Sequence, residues 1–259
     1  MKITTGKKAK PRKLLVYGVP GVGKSTFAAG SSRPIFWATE QGLDDIGPDR
    51  LTIDTVQDMT DARNYTVEHA DEYDTLVIDG CTGFNDLMLS IVCEPGQAIE
   101  DAGEFGKGQG RLLEQWKLYY HRIVNVAESC NMHLVLVAHS EVITFRNPQG
   151  DDFDQFAPLL PKRVRAYIRA ELDEILFAQY KLRTITEKGD FGRKVTKPIE
   201  GGPPERIIVA QDKPACQAKN RLDIEGTLPL TWKAYADKWP AAETTKPTTQ
   251  TTTTKKASK

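Results

Sequence analysis

The stretch VYGVPGVGKSTFA, Val16 to Ala28, limits what this chain can fold into more than any other. An apolar run ends in Gly18, Val19, Pro20, Gly21, Val22 and Gly23, and Lys24, Ser25 and Thr26 then open a helix-compatible segment. Glycine loses more conformational freedom on folding than any other residue, so the cluster needs a structural reason. Its spacing supplies one: Gly18-x-x-x-x-Gly23-Lys24-Ser25 fits the phosphate-loop pattern, and it stands between a strand and a helix. Such glycines turn main-chain N–H groups inward to form an anion nest at a helix N-terminus. There Lys24 reaches β- and γ-phosphates, the Ser25 hydroxyl ligates Mg2+ and Thr26 hydrogen-bonds a phosphate. The expected cofactors are ATP and Mg2+, bound along Gly18 to Thr26.

The rest of the composition sets bounds. A chain of 259 residues has room for one full α/β domain, or for one domain with an added piece. Lys plus Arg and Asp plus Glu each number 35, a balance that advertises neither a nucleic-acid nor a membrane partner, although a local basic stripe is compatible with it. Cys81, Cys93, Cys130 and Cys216 lack zinc-ligand or redox spacing and read as inert thiols. The start, MKITTGKKAKPRK, is basic and polar with no apolar run behind it, so it does not read as a secretory signal. No apolar stretch approaches the ~18 residues of a membrane span. A cytoplasmic protein (host cytoplasm if phage-encoded) is expected by elimination.

Apolar runs at Lys13–Gly18, Arg33–Glu40, Arg50–Thr55, Tyr73–Gly80 and Met132–Ser140 read as strands, and Asp58–Ala70 reads as helical. Leu112, Trp116, Tyr119, Ile123, Val126 and Cys130 recur at three- and four-residue steps and predict a long amphipathic helix. Strands alternating with helices predict a mostly parallel sheet covered on both faces. Glu141 to Lys162, with three prolines and several acids, reads as a long functional loop. Beyond it, DEILFAQYKLRTITE and ERIIVAQ read as paired strands, followed by a short helix in TWKAYADKW. The expected divisions are a basic leader at 1–12, a globular domain at 13–238 and a disordered Thr/Lys-rich tail at 239–259.

Two carboxylates stand where nucleotide chemistry needs them. Asp79 ends the apolar strand DTLVIDG, where a carboxylate on a neighbouring parallel strand faces the phosphates and holds Mg2+; an aspartate simply preceding a turn at Gly80 is the alternative. Glu40 follows PIFWAT on the same sheet edge, placed to position an attacking water or else to lie in a surface loop.

The segment IFWATEQGLDD resembles the strand-to-loop segment of RecA-type ATPases, in which the glutamate after the second core strand activates water. The order of strands and helices from about Leu14 to Pro229 is similar to the RecA core. The resemblance implies a RecA-like α/β fold: a mostly parallel P-loop sheet flanked by helices, with a C-terminal antiparallel strand extension. It also implies a γ-phosphate sensor at the end of HLVLVAHS, a place filled by His139 or the adjacent Ser140, where RecA has an amide. A structural histidine is the competing reading. Lys219 and Arg221, in QAKNRLDIEGTLPL, resemble the basic pair that RecA-type and DnaB-type ATPases insert into a neighbouring subunit's nucleotide; an exposed basic pair near a turn is the other reading.

The same resemblance implies a homo-oligomer, ring or filament, that grips single-stranded DNA with two loops, here Glu94–Arg111 and Glu141–Arg163. These carry Lys107, Arg111, Arg146, Lys162 and Arg163 for phosphates and Phe105, Phe145, Phe153 and Phe156 for stacking. They also carry at least as many acids, which repel a phosphate backbone, so the DNA role rests on the resemblance. Lys7, Lys8, Lys10, Arg12 and Lys13 add attraction or form a solvated leader. The chain looks most like compact phage-type RecA-core ATPases of single-strand annealing and recombination. The rival is an ATP-dependent oligomeric switch or scaffold that binds a protein and never touches DNA; a small-molecule kinase lacks an arginine-rich lid in this sequence.

Overall fold

The computed structural model describes residues 10–103, 107–181 and 205–240, together with the backbone of 184–188 and 194–198. The strands are β1 (Lys13–Gly18), β2 (Pro34–Ala38), β3 (Arg50–Thr52), β4 (Thr75–Asp79), β5 (His133–Phe145), β6 (Phe153–Pro158), β7 (Glu174–Tyr180), β8 (Thr184–Lys188), β9 (Lys194–Pro198), β10 (Arg206–Val209) and β11 (Thr227–Pro229). The helices are α1 (Lys24–Ala29), α2 (Val56–Glu68), α3 (Cys81–Val92), α4 (Gly108–Ser129), α5 (Lys162–Glu171) and α6 (Trp232–Ala236).

The main sheet runs β11-β10-β7-β1-β5-β4-β2-β3, with β6 paired to the far end of β5. Pairings from β7 through β3 are parallel, whereas β10 and β11 add antiparallel strands at the opposite edge. The architecture is therefore the expected mostly parallel α/β sheet with a C-terminal antiparallel extension. Each central strand buries both faces, which explains its near-continuous apolar sequence. Leu15 and Tyr17 of β1, Leu76 and Ile78 of β4 and Leu134 and Leu136 of β5 pack toward α2, α3, α4 and α5. Leu14, Val16, Val77, Val135 and Val137 pack on the other face, with Phe27 of α1 and Trp232 and Tyr235 of α6. This two-residue alternation decides which side chains at the strand ends reach the loop before α1.

Several expectations change. β4 is not beside β1: β5 lies between them, so Asp79 stands two strand spacings, about 9–10 Å, from the phosphate-loop strand. Glu141–Lys162 is not a loop. β5 continues to Phe145 and turns back as β6, with Thr144 Oγ1 donating to Asp154 Oδ1 at 2.9 Å and Phe145 against Phe153. Its alternation was hidden by the acids and prolines, which occupy the solvent side and the ends. Helices α3 and α5 were not expected; α3 begins immediately after β4, and α5 follows Pro161. DEILFAQY and ERIIVAQ do pair, through β7 and β10, but β8 and β9 form their own hairpin between them.

The domain also reaches beyond the expected limits. Arg12 is largely buried and ion-paired to Glu174, and the exposed Lys10 places its Nζ 3.4 Å from Asp173. Trp239 stacks near His133 and Trp232, with ring centroids at 4.5 and 5.8 Å. Lys7, Lys8 and residues 241–259 of the expected tail lie outside the described residues. Among the described residues, no helix is long and apolar enough to cross a membrane.

Candidate active site

The phosphate-loop segment joins β1 to α1 at the C-terminal edge of the parallel strands, where α/β sheets place their ligand crevices. Gly18 is held against β7, and a Cβ there would stand 2.2 Å from the Ala178 carbonyl oxygen. Gly23, the residue before α1, has φ +104°, a left-handed conformation open to glycine and strained for other residues. The loop borders a cleft of about 450 Å³ lined also by Glu40, Gln41, Gly42, Ile46, Asp79, His139 and Arg206.

Lys24 is 7 % exposed, and its ammonium donates to the carbonyls of Gly18 at 3.1 Å and Val19 at 3.0 Å. Burial lowers its pKa, while the nearby carboxylates Asp79 and Glu40 pull it back up. Asp79 shares the face of β4 with Val77, the face that looks toward α1, and so meets Ser25. Burial raises its pKa, a hydrogen bond with Ser25 opposes the rise and the charge of Glu40 adds to it. Lys24 is thus held by its own loop's carbonyls and Asp79 by Ser25, each with a weaker attraction to the other, and burial works against both charges.

Alternation also separates the two sensor candidates. His139 falls on the same face of β5 as Val135 and Val137 and lines the cleft, whereas Ser140 points to the opposite face and pairs with Pro158 of β6. His139 Nε2 lies 3.2 Å from Glu40 Oε2, and Glu40 Oε1 accepts from the Gly83 N–H at 3.2 Å. The His139 Nδ1 is buried without a hydrogen-bond partner. Glu40 is thus fixed from two sides at the mouth of the cleft, beside Asp79.

The donor set fits a nucleotide–Mg2+ ligand. Glycines at φ +74° and +104° shape the cradle, and Ser25 and Asp79 meet at its edge. No group of three or more His, Cys, Asp or Glu gathers as a self-sufficient metal site among the described residues. Mg2+ held by one or two protein oxygens, with phosphates and water completing its shell, matches that arrangement.

Lys219 and Arg221 lie elsewhere, near the N-terminal end of β7. Lys219 Nζ donates to the carbonyls of Arg169 and Ala170 at 2.6 and 3.1 Å, closing the last turn of α5. Arg221 Nη1 donates to Asp173 Oδ1 at 2.7 Å. Neither lines its own chain's cleft. Of the expected DNA contacts, Lys107 and Arg111 lie at the start of α4 and Lys162 and Arg163 at the start of α5, all four exposed. Arg163 Nη1 approaches Gly110 of α4, bringing the two helix starts together. Phe145 is exposed at the end of β5 and Arg146 follows it. Phe156 instead stacks on Phe177, centroids 5.0 Å apart, as part of the interior. Phe105 lies outside the described residues.

Among the cleft residues that escaped the sequence reading, Arg206 is the cation. Arg206 opens β10 and carries no motif signal; only the antiparallel pairing of β10 with β7 brings it to the loop.

Residues 10–222 match the AAA_24 family, described as an AAA domain. No curated protein matches the chain. Among solved structures, the crystal structure of the RadB recombinase is similar at 13% identity, covering 88% of this chain and 91% of that one, with a TM-score of 0.43.

Proposed function

The chain belongs to the AAA domain family, a P-loop nucleotide-binding family, and from that premise we propose that it is a Mg2+-dependent, RecA-like ATPase. Its substrate partner is single-stranded DNA in phage-type recombination or annealing, and hydrolysis takes place at the interfaces of a homo-oligomer. The observation that carries the ATPase reading is the gathering of Lys24, Ser25, Glu40, Asp79 and His139 around one glycine-shaped cradle.

In this reading the loop amides and Lys24 bind the triphosphate, Lys24 exchanging the Gly18 and Val19 carbonyls for phosphate oxygens. Ser25 and Asp79 would hold Mg2+, which would supply charge neutralisation to the phosphates. Glu40 accepts a hydrogen bond from the attacking water and orients it, while His139 ties Glu40 to the state of the γ-phosphate. β5 runs unbroken from His139 to Phe145, so a shift at the cleft has a rigid path to the hairpin. The cations at the starts of α4 and α5 lie on the same sheet edge as the cleft, which supports a DNA path there. Lys219 and Arg221 act on the neighbouring subunit's nucleotide. Arg221, half exposed and tied only to carboxylate, is the readier of the two to move.

Phosphate release measured at low salt, with and without single-stranded DNA and alongside a gel shift, tests the reading. Stimulation with a shift supports it. Hydrolysis with neither favours the second reading, an ATP-dependent oligomeric switch or scaffold for a protein partner. Exposed Val142, Phe145 and Leu159, beside the acids of the β5–β6 hairpin, speak for that alternative. Lys219→Ala mixed with Lys24→Ala is expected to regain partial turnover through shared interfaces; a mixture that co-assembles and stays inactive removes the trans role.

A further inference from the structure

Arg206 stands against the cradle from the side opposite Glu40, Asp79 and His139. β7 and β10 flank β1 on one side, β5 and β4 on the other. Its Nη1 lies 3.0 Å from where a Cβ on Gly23 would be, so the guanidinium stands close against the loop at the residue whose φ already calls for glycine. Directly across the strand pair, Tyr180 lies under the guanidinium, 6.0 Å from ring centroid to carbon, and donates its hydroxyl to the Gly21 carbonyl at 3.1 Å. The β7–β10 pair therefore contacts both left-handed glycines of the loop. Among the described residues no carboxylate pairs with Arg206; the adjacent Glu205 bridges to Lys181 at 3.0 Å.

A planar cation with no acidic partner among the described residues, stacked on an aromatic ring and facing a nest of amides, is built to bind phosphate oxygens. We propose that Arg206 is a cis ligand of the nucleotide's α- and β-phosphates, with Tyr180 as the platform that orients it. The proposal rests on the ATP-binding reading above. It assigns the phosphates within the nest to Arg206 and leaves the γ-phosphate to Glu40, His139 and any cation arriving from another subunit. A ligand of that kind contributes to ATP and ADP binding alike, unlike a finger that acts on the transferring group.

Calorimetric titration of the full chain with Mg-ATP and with Mg-ADP distinguishes the two. Arg206→Ala is expected to weaken both nucleotides in parallel, by about tenfold or more. Arg206→Lys should fall between Arg206→Ala and the wild type. Nucleotide-free Tm reports whether the fold is intact. If alanine disturbs β10, Arg206→Gln, which keeps the stem and loses the charge, is the variant to read. Unchanged affinity for both nucleotides overturns the assignment, and so does a loss confined to ATP. A wild-type chain that binds neither nucleotide overturns the ATPase reading and this inference with it, an outcome distinct from a variant that matches a binding wild type.

Discussion

At the N-terminal edge of the parallel strands, Asp173 and Glu174 are buried among Lys10, Arg12, Arg221 and Tyr235. At the C-terminal edge, Lys24 and Asp79 are buried beside Glu40 and His139. In the first group every carboxylate is answered. Glu174 meets Arg12 and accepts from the Tyr235 hydroxyl at 2.8 Å, and Asp173 meets Lys10, Arg221 and the Lys13 N–H. In the second, Lys24 rests on its own loop's carbonyls and the His139 Nδ1 has no partner. The two edges titrate in opposite senses. Burial pushes Asp173 up, but the Lys13 N–H and the three cations outweigh it, so its pKa is lowered. Asp79 is raised, chiefly by burial. The stability from Asp173 is present above the ordinary aspartate pKa, about 3.9, and is lost as pH falls through its lower folded value. For Asp79 the contribution is greatest below about pH 3.9 and is lost as pH rises through its higher folded value. Saturated buried charge fastens the fold, whereas burial works against the charges at the cleft.

That contrast breaks most sharply at Glu40. Glu40→Gln should keep nucleotide binding and lower turnover by about 10²–10⁴, read as phosphate release under single-turnover conditions; normal turnover would remove its water-positioning role. On the opposite edge, Glu174→Ala leaves Arg12 buried without its partner and should cost about 3–5 kcal/mol in urea unfolding, without changing nucleotide affinity of the folded fraction. A variant as stable as the wild type would show that this edge is not the fastening. Asp79→Asn should do the reverse, raising nucleotide-free stability at pH 7 by about 1 kcal/mol and flattening its fall between acid and neutral pH, while Mg2+-dependent affinity drops. Arg221→Ala should move stability by at most about 1 kcal/mol, since the arginine is half exposed. A large turnover defect in that stable variant would mark the residue as functional rather than fastening.

The cradle was legible because it is local. Gly18 to Thr26 are contiguous, and their φ requirements and chemistry are written in residue types that have few other uses in such a pattern. The apolar runs of β1, β4 and β5 were legible because strands buried on both faces leave no polar positions to confuse the period. The β5–β6 hairpin was misread as a loop, since its stability comes from cross-strand pairs such as Phe145 with Phe153, and partners on another strand leave no local mark. Lys10 and Arg12 looked like leader charge for the same reason: the acids that hold them, Asp173 and Glu174, are remote in sequence.

The sequence by itself determined that a glycine-shaped loop stands between a strand and a helix, and that a mostly parallel sheet carries it. Short-range geometry and burial periodicity suffice for that. Only the tertiary structure decided that β5 separates β1 from β4, that His139 rather than Ser140 faces the cleft, that Lys219 and Arg221 stand at the far edge, and that Arg206 reaches the loop. Those outcomes depend on strand order and on the parity of side chains across paired strands, quantities fixed when distant segments pack together and absent from any single stretch of the chain.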